Sequence, residues 1–271
     1  MNGEKVFDLI EKAKNIRLWA IEETASKGKG HIGGTFSCVD ILVSLYYSVL
    51  NIKPKHPEWD GRDRFILSKG HACLALYPIL MDLGFINNET FRSYGENGGL
   101  GGQLDISIPG VDWNTGSLGH SLGIASGMAM ASKLDNKNYH VFSVVGDGEC
   151  AEGSIWESIM FIGQRNISNI TCIVDRNRLS VTETLDDDSF FKNLSIVLPS
   201  FGWGFVEING HNIEEITIAL NSSKWSKTPT FIVANTIKGK GISFMENVAK
   251  WHNSVPNKDE LEAAKAEINA N

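Results

Sequence analysis

Five short apolar runs, at residues 65–67, 141–145, 170–174, 205–208 and 231–234, stand apart along this chain with helical patterns between them. Strands that alternate with helices predict an α/β fold, a doubly wound and mostly parallel sheet with helices on both faces. The chain opens on a helix rather than a strand, because Val6, Leu9, Ile10, Ala13, Ile16 and Ala20 recur at helical spacing. A glycine-rich break at 28–34 leads into a second helix, for which Ser37 is the expected N-cap and which carries Ile41, Leu42, Leu45, Val49 and Leu50. Pro54 and Pro57 mark a loop after it. The aperiodic, Gly-rich stretch at 95–116 is long for a structureless loop in a compact domain, and such loops are usually functional. Residues 259–270 are expected to form a helix whose packing draws on another surface. No repeat, low-complexity segment or linker-like shift in composition divides the chain, so residues 1–271 are expected to form one domain.

At 271 residues and 42% hydrophobic, the chain can bury one large core. Its net charge of -7 and the lack of a dense basic patch argue against a nucleic-acid or anionic-membrane partner. Cys38, Cys73, Cys150 and Cys172 are scattered without a C-x-x-C pair, which predicts reduced thiols and a cytoplasmic setting. The first residues run into the amphipathic pattern with no signal-peptide core, and no apolar run of about eighteen residues is expected to span a membrane.

The strongest local signal is the run Val141 to Val145 passing into Gly146-Asp147-Gly148, with a helical pattern from Glu152. An acid at the carboxyl end of a parallel strand lies where open α/β sheets bind ligands, and flanking glycines let a phosphate approach the backbone. The next strand delivers Asp175-Arg176-Asn177-Arg178-Leu179. One carboxylate, one amide oxygen and a backbone carbonyl suit magnesium, which fills its other positions with water and phosphate oxygens. The implied ligand is a metal-bound diphosphate. Two other readings compete. Asp-Gly alone is a common turn, and Gly146-x-Gly148-x-x-Ala151 with Asp175 also fits a dinucleotide-binding fingerprint, the mark of an NAD oxidoreductase. Against the latter, Asp147, Glu149 and Glu152 would crowd a pyrophosphate with negative charge unless a cation intervened. Gly28-x-Gly30-x-x-Gly33 follows a helix and lacks the required context.

Six motifs then occur in order: Gly30-His31-Ile32-Gly33-Gly34, Leu67-Ser68-Lys69-Gly70-His71-Ala72, Gly116-Ser117-Leu118-Gly119-His120, Gly146-Asp147-Gly148, Asp175 to Leu179, and a stretch at 236–252 that ends on His252. With these the sequence resembles the transketolase family over nearly its whole length, specifically the amino-terminal half that binds thiamine diphosphate. The resemblance implies Mg2+, with Ca2+ or Mn2+ able to substitute, held by Asp147, Asn177 and the carbonyl of Leu179. It implies cofactor contacts from His71, Gly116, Ser117, Leu118, Gly148, Glu152, Asn177 and His252. His31, His71 and His252 become the candidate catalytic residues, with His31, Gln103 and His252 toward the sugar. The implied chemistry moves a two-carbon ketol unit from a ketose to an aldose. It needs a base at a sugar hydroxyl, for which histidine is poised near neutral pH. Glu152 and Glu157 match acidic positions that the family keeps near a subunit interface. His56, His140 and His211 are read as structural or surface side chains.

Two departures from the family shape the expectations. The glutamate that activates the cofactor belongs to a domain that this chain does not include. A separately encoded C-terminal subunit is therefore expected to supply it, in an α2β2 assembly with active sites between chains. After Gly101-Gly102, where transketolases usually place a histidine against the donor sugar, this chain has Gln103, which hydrogen-bonds but cannot titrate. His120 is a candidate to compensate, and a modified or sulfonated ketose is the expected donor. A 2-oxoacid dehydrogenase component, a deoxyxylulose-phosphate synthase, the NAD oxidoreductase and a non-catalytic binding subunit remain as alternatives.

Overall fold

A computed structural model describes residues 3–179 and 189–270. All five apolar runs are strands: β1 (Arg64–Leu67), β2 (Val141–Gly146), β3 (Ile170–Arg176), β4 (Gly204–Asn209) and β5 (Thr230–Asn235). They pair in parallel throughout, in the order β1-β2-β3-β5-β4. Side chains of a strand alternate between faces. Phe65, Phe142, Val144, Ile173 and Ile232 therefore enter one core layer, while Ile66, Val141, Val145, Cys172 and Phe231 enter the other. Because helices cover both faces, β2, β3 and β5 are buried at nearly every position. The edge strand β4 is half exposed and carries Glu207 outward.

The helices are α1 (Gly3–Lys27), α2 (Ile32–Ser44), α3 (Cys73–Leu83), α4 (Asn88–Arg92), α5 (Ser121–Leu134), α6 (Gly153–Gln164), α7 (Ser189–Lys192), α8 (Leu194–Ser200), α9 (Ile213–Lys224) and α10 (Lys258–Ala270). The first layer packs α1, α2, α3 and α9 against the sheet, and the second packs α5, α6 and α8. The doubly wound class expected from the sequence is the class observed.

Three local expectations need correction. Ser37 does not cap α2, which starts at Ile32 with His31 in the cap position. Its hydroxyl lies instead 2.6 Å from Asp175 Oδ2. The helix begins earlier because Gly33 belongs to its first turn, where a Cβ would sit 2.9 Å from the Trp251 carbonyl oxygen. Second, α10 finds its surface within this chain: Ala264 and Ile268 are buried against α1, and Lys265 pairs with Glu22 at 3.2 Å. Third, the stretch Ile32–Val49 is long and apolar enough by composition to cross a membrane, but 89% of it is buried in the fold. Its single charge, Asp40, accepts two hydrogen bonds from Arg17, at 2.9 and 2.8 Å, and lies 2.6 Å from His211 Nδ1.

Candidate active site

The sheet order reverses after β3, since β4 runs at the edge and β5 returns between it and β3. A crevice at the carboxyl ends of the strands next to such a reversal is where open α/β sheets receive ligands. The segments leaving β1, β2, β3 and β5 meet there. They enclose a cavity of about 220 Å³ whose lining includes His71, Leu118, Asp147, Gly148, Asn177, Leu179, Lys238 and His252.

On the acidic side, Asp147 is 7% exposed. Its Oδ1 accepts from the Gly148 amide at 2.8 Å and its Oδ2 from the Arg178 amide at 2.6 Å, which ties the turn after β3 to the turn after β2. Arg178 takes a φ of 62°, a left-handed residue that turns the chain back toward the cavity. Asn177 Oδ1 accepts from the Leu179 amide at 3.2 Å. Burial, and then the charge of Asp175, push the Asp147 carboxyl above its ordinary value, against the pull of its two amide donors and Lys69.

The basic side is denser. Lys69 forms a buried ion pair with Asp175, which also accepts from Thr236. Burial alone would raise the Asp175 carboxyl, but Lys69 and these hydroxyls hold it below its ordinary range. Lys238 donates to the Leu179 carbonyl at 3.0 Å and lies 2.9 Å from His252 Nδ1. Burial, followed by repulsion from Lys69, lowers its ammonium to about 8. The rings of His31, His71 and His252 form a triangle with centroids 5.3, 5.5 and 5.7 Å apart. Burial first, then Lys69 and the other cations, lower His71 to about 3, and burial and then Lys238 lower His252 to about 4. His31 is lowered by the same two causes, burial and then Lys238. The His71 and His252 rings are thus held below the neutral range and His31 is shifted the same way, whereas the sequence reading expects all three poised near neutrality. With the Lys238 ammonium donating to Nδ1, the His252 ring carries its hydrogen on Nε2.

The structure brings together Asp147, Gly148, Asn177, Leu179, Leu118, His71 and His252 in one cavity, with His31 at its rim. Gly116 and Ser117 lie exposed on the turn that carries Leu118. Glu152 and Glu157 are exposed at the start of α6 and do not enter the cavity. Gln103 sits beside Gly70 and Gly116, where a Cβ on Gly70 would lie 2.5 Å from Gln103 Oε1. That oxygen is buried and has no hydrogen-bond partner. His120 is exposed and lies 3.0 Å from the Leu118 carbonyl oxygen, outside the cavity. His140 and His211 are bonded within the fold, to Thr171 and to Asp40, and His56 is exposed on its loop. Sequence reasoning passed over Lys69, Lys238 and Glu149. A lysine flanked by glycine or histidine just after a buried strand is the signal that could have found the first two.

An all-parallel α/β sheet with a charged, glycine-edged cavity at its strand ends defines a class, the domains that seat nucleotide or diphosphate cofactors. Residues 10–271 match the family model described as transketolase, thiamine diphosphate binding domain. The chain belongs to the transketolase family and comprises this domain. It is 40% identical over 269 residues to one of the subunits of the apulose-4-phosphate transketolase of Phocaeicola vulgatus, covering 98% of this chain and 91% of the relative. It is 36% identical to the SqwG subunit of the 6-deoxy-6-sulfo-D-fructose transketolase of a Clostridium species, covering 98% of each. A solved transketolase from Campylobacter jejuni superposes with a TM-score of 0.88 at 28% identity, covering 99% of this chain but 43% of its own. The chain thus spans nearly the full length of the first two relatives and about two fifths of the solved enzyme. The dinucleotide reading does not survive: residues Gly148–Ala151 form a 3-10 turn rather than the start of a helix, and Asp175 is sealed under Lys69.

Proposed function

We propose that residues 1–271 form the thiamine-diphosphate- and magnesium-binding subunit of a two-chain transketolase, which moves a two-carbon ketol unit from a ketose to an aldose. The observation that carries this is the meeting of Asp147, Asn177 and Leu179 with His31, His71 and His252 around one cavity at the strand ends. The donor set fits Mg2+, because it offers few oxygens and leaves positions for diphosphate and water. Asp147, Asn177 and the Leu179 carbonyl would hold the metal. Lys238, which donates to the Leu179 carbonyl from inside the cavity, would add positive charge on the side where a diphosphate would lie. His71, Gly116, Ser117, Leu118 and Gly148 would border the cofactor, while Glu152, exposed beside Gly119 and outside the cavity, would lie at the interface with a neighbouring subunit. Thiamine diphosphate, when bound, supplies the electron sink for carbon–carbon cleavage. His31, half-buried, would accept and return a proton at a sugar hydroxyl, while His252, with its hydrogen on Nε2, would donate to one.

The partner reading draws support from relatives of nearly matching length that are named as subunits. In it a separately encoded C-terminal subunit brings the pyrimidine-binding domain and the activating glutamate, in an α2β2 assembly. The free, buried cysteines agree with a reducing, cytoplasmic setting. Gln103 points to a modified donor, a ketose with a sulfonate or altered chain, since an amide that cannot titrate stands where the family usually keeps a histidine. The test is ketol transfer by this chain alone, with its partner, and with Asp147→Ala in place of the wild type. Transfer only in the wild-type mixture is expected. Full transfer by the chain alone would end the two-chain reading, and equal turnover of ordinary xylulose 5-phosphate would count against a modified donor.

A further inference from the structure

Glu149 follows Gly148 in the turn after β2, and none of the roles proposed above uses its side chain. It is 3% exposed, and its carboxylate reaches three separate segments. Oε1 accepts from the Gly119 amide at 2.7 Å and from the Ser68 hydroxyl, and Oε2 accepts from the Gly146 amide at 3.0 Å. Ser68 stands at the exit of β1, just before Lys69 and His71. Gly119 closes the turn of Gly116 and Leu118, and Gly146 adjoins Asp147. An ionised carboxylate only accepts, so its two oxygens can serve three donors at once. A neutral amide of the same shape cannot, because it turns an N–H2 group toward one of them.

We propose that Glu149 is a positioning residue, a buried clamp that fixes the spacing of the three loops that receive the cofactor. The segments it ties are cavity walls rather than core. The sheet itself is held by its own ladder, which pairs Gly146 with Asp175 and needs nothing from Glu149. The cofactor half of this inference rests on the function proposed above, whereas the clamp is a property of the chain alone.

The experiment reads both halves in the full chain mixed with its partner. Amide hydrogen exchange reports the Gly119 and Gly146 segments, and calorimetric titration with thiamine diphosphate and Mg2+ reports affinity. In Glu149→Gln, exchange at both segments should accelerate, affinity should fall by roughly tenfold or more, and protection of β3 and β5 should be unchanged. Ser68→Ala removes a single donor and should show a smaller fall in the same direction, which keeps the test open if Glu149→Gln fails to fold. Unchanged exchange at Gly119 and Gly146 overturns the clamp. Faster exchange with affinity within twofold of the wild type overturns its role for the cofactor. If the wild type itself binds no thiamine diphosphate, the function reading falls along with the cofactor half, and exchange still decides the clamp.

Discussion

Asp40 shows how one residue can set the acid limit of this fold. Burial alone would raise its carboxyl, but the Arg17 guanidinium and His211 hold it at about 2. A carboxyl depressed on folding contributes stability that is present above its unfolded value and lost as pH falls toward the folded one. The window here runs from about 4 down to about 2, and the size is on the order of 2 kcal/mol. Asp40→Asn should therefore flatten the loss of stability across that window in denaturant melts, and an unchanged slope would contradict the assignment. His140 acts at a higher pH. Burial, the leading cause, lowers it to about 4 although Asp63 pulls the other way, while the unfolded ring titrates near 6.5. Because only the unfolded chain takes up this proton readily, stability is full above 6.5 and falls by about 3 kcal/mol on the way to pH 4. His140→Gln cannot be protonated and keeps an amide donor for Thr171, so it should fall less steeply between those values. Parallel curves would refute this. Asp147, His31 and His71 were legible in the sequence because each stands beside glycines at the edge of an element, whereas Asn177 and His252 were legible through the family motifs that hold them. Lys238 was not, since what defines it is a carbonyl 59 residues away.

At the scale of elements, strands were easier to read than helix ends. Runs buried on both faces, as in β2, β3 and β5, carry a mainly apolar signature, and all five runs appear as strands where expected. The start of α2 was misplaced because capping rules describe helices that begin in solvent, whereas this one begins inside the protein, with its first turn against Trp251 and Lys238. Close approach also sets a limit at α6. A Cβ on Gly163 would lie 1.7 Å from the Phe201 carbonyl oxygen, an atom of the backbone that has no rotamer to change. Gly163→Ala should destabilise the protein by about 1–3 kcal/mol, seen as a lower Tm, with α6 shifted on the sheet. A Tm equal to that of the wild type would show that the turn at Phe201 gives way freely.

For the whole molecule, the alternation of strands and helices predicts a parallel sheet with covered faces, but not the insertion of β5 between β3 and β4. That reversal depends on which edges pair after the chain leaves the sheet, and no local pattern encodes it. It also creates the crevice, so the sequence located the site's residues before it could show why they meet. In the proposed enzyme this crevice is one wall of an active site whose other wall belongs to a second chain. The most direct test is calorimetric titration of thiamine diphosphate with Mg2+ into this chain, alone and with its partner, with Asp147→Ala and NAD as controls. The account predicts magnesium-dependent binding that appears or strengthens with the partner, vanishes in Asp147→Ala, and has no counterpart for NAD. Binding that ignores magnesium and survives Asp147→Ala, or no binding by the wild-type mixture, would contradict it.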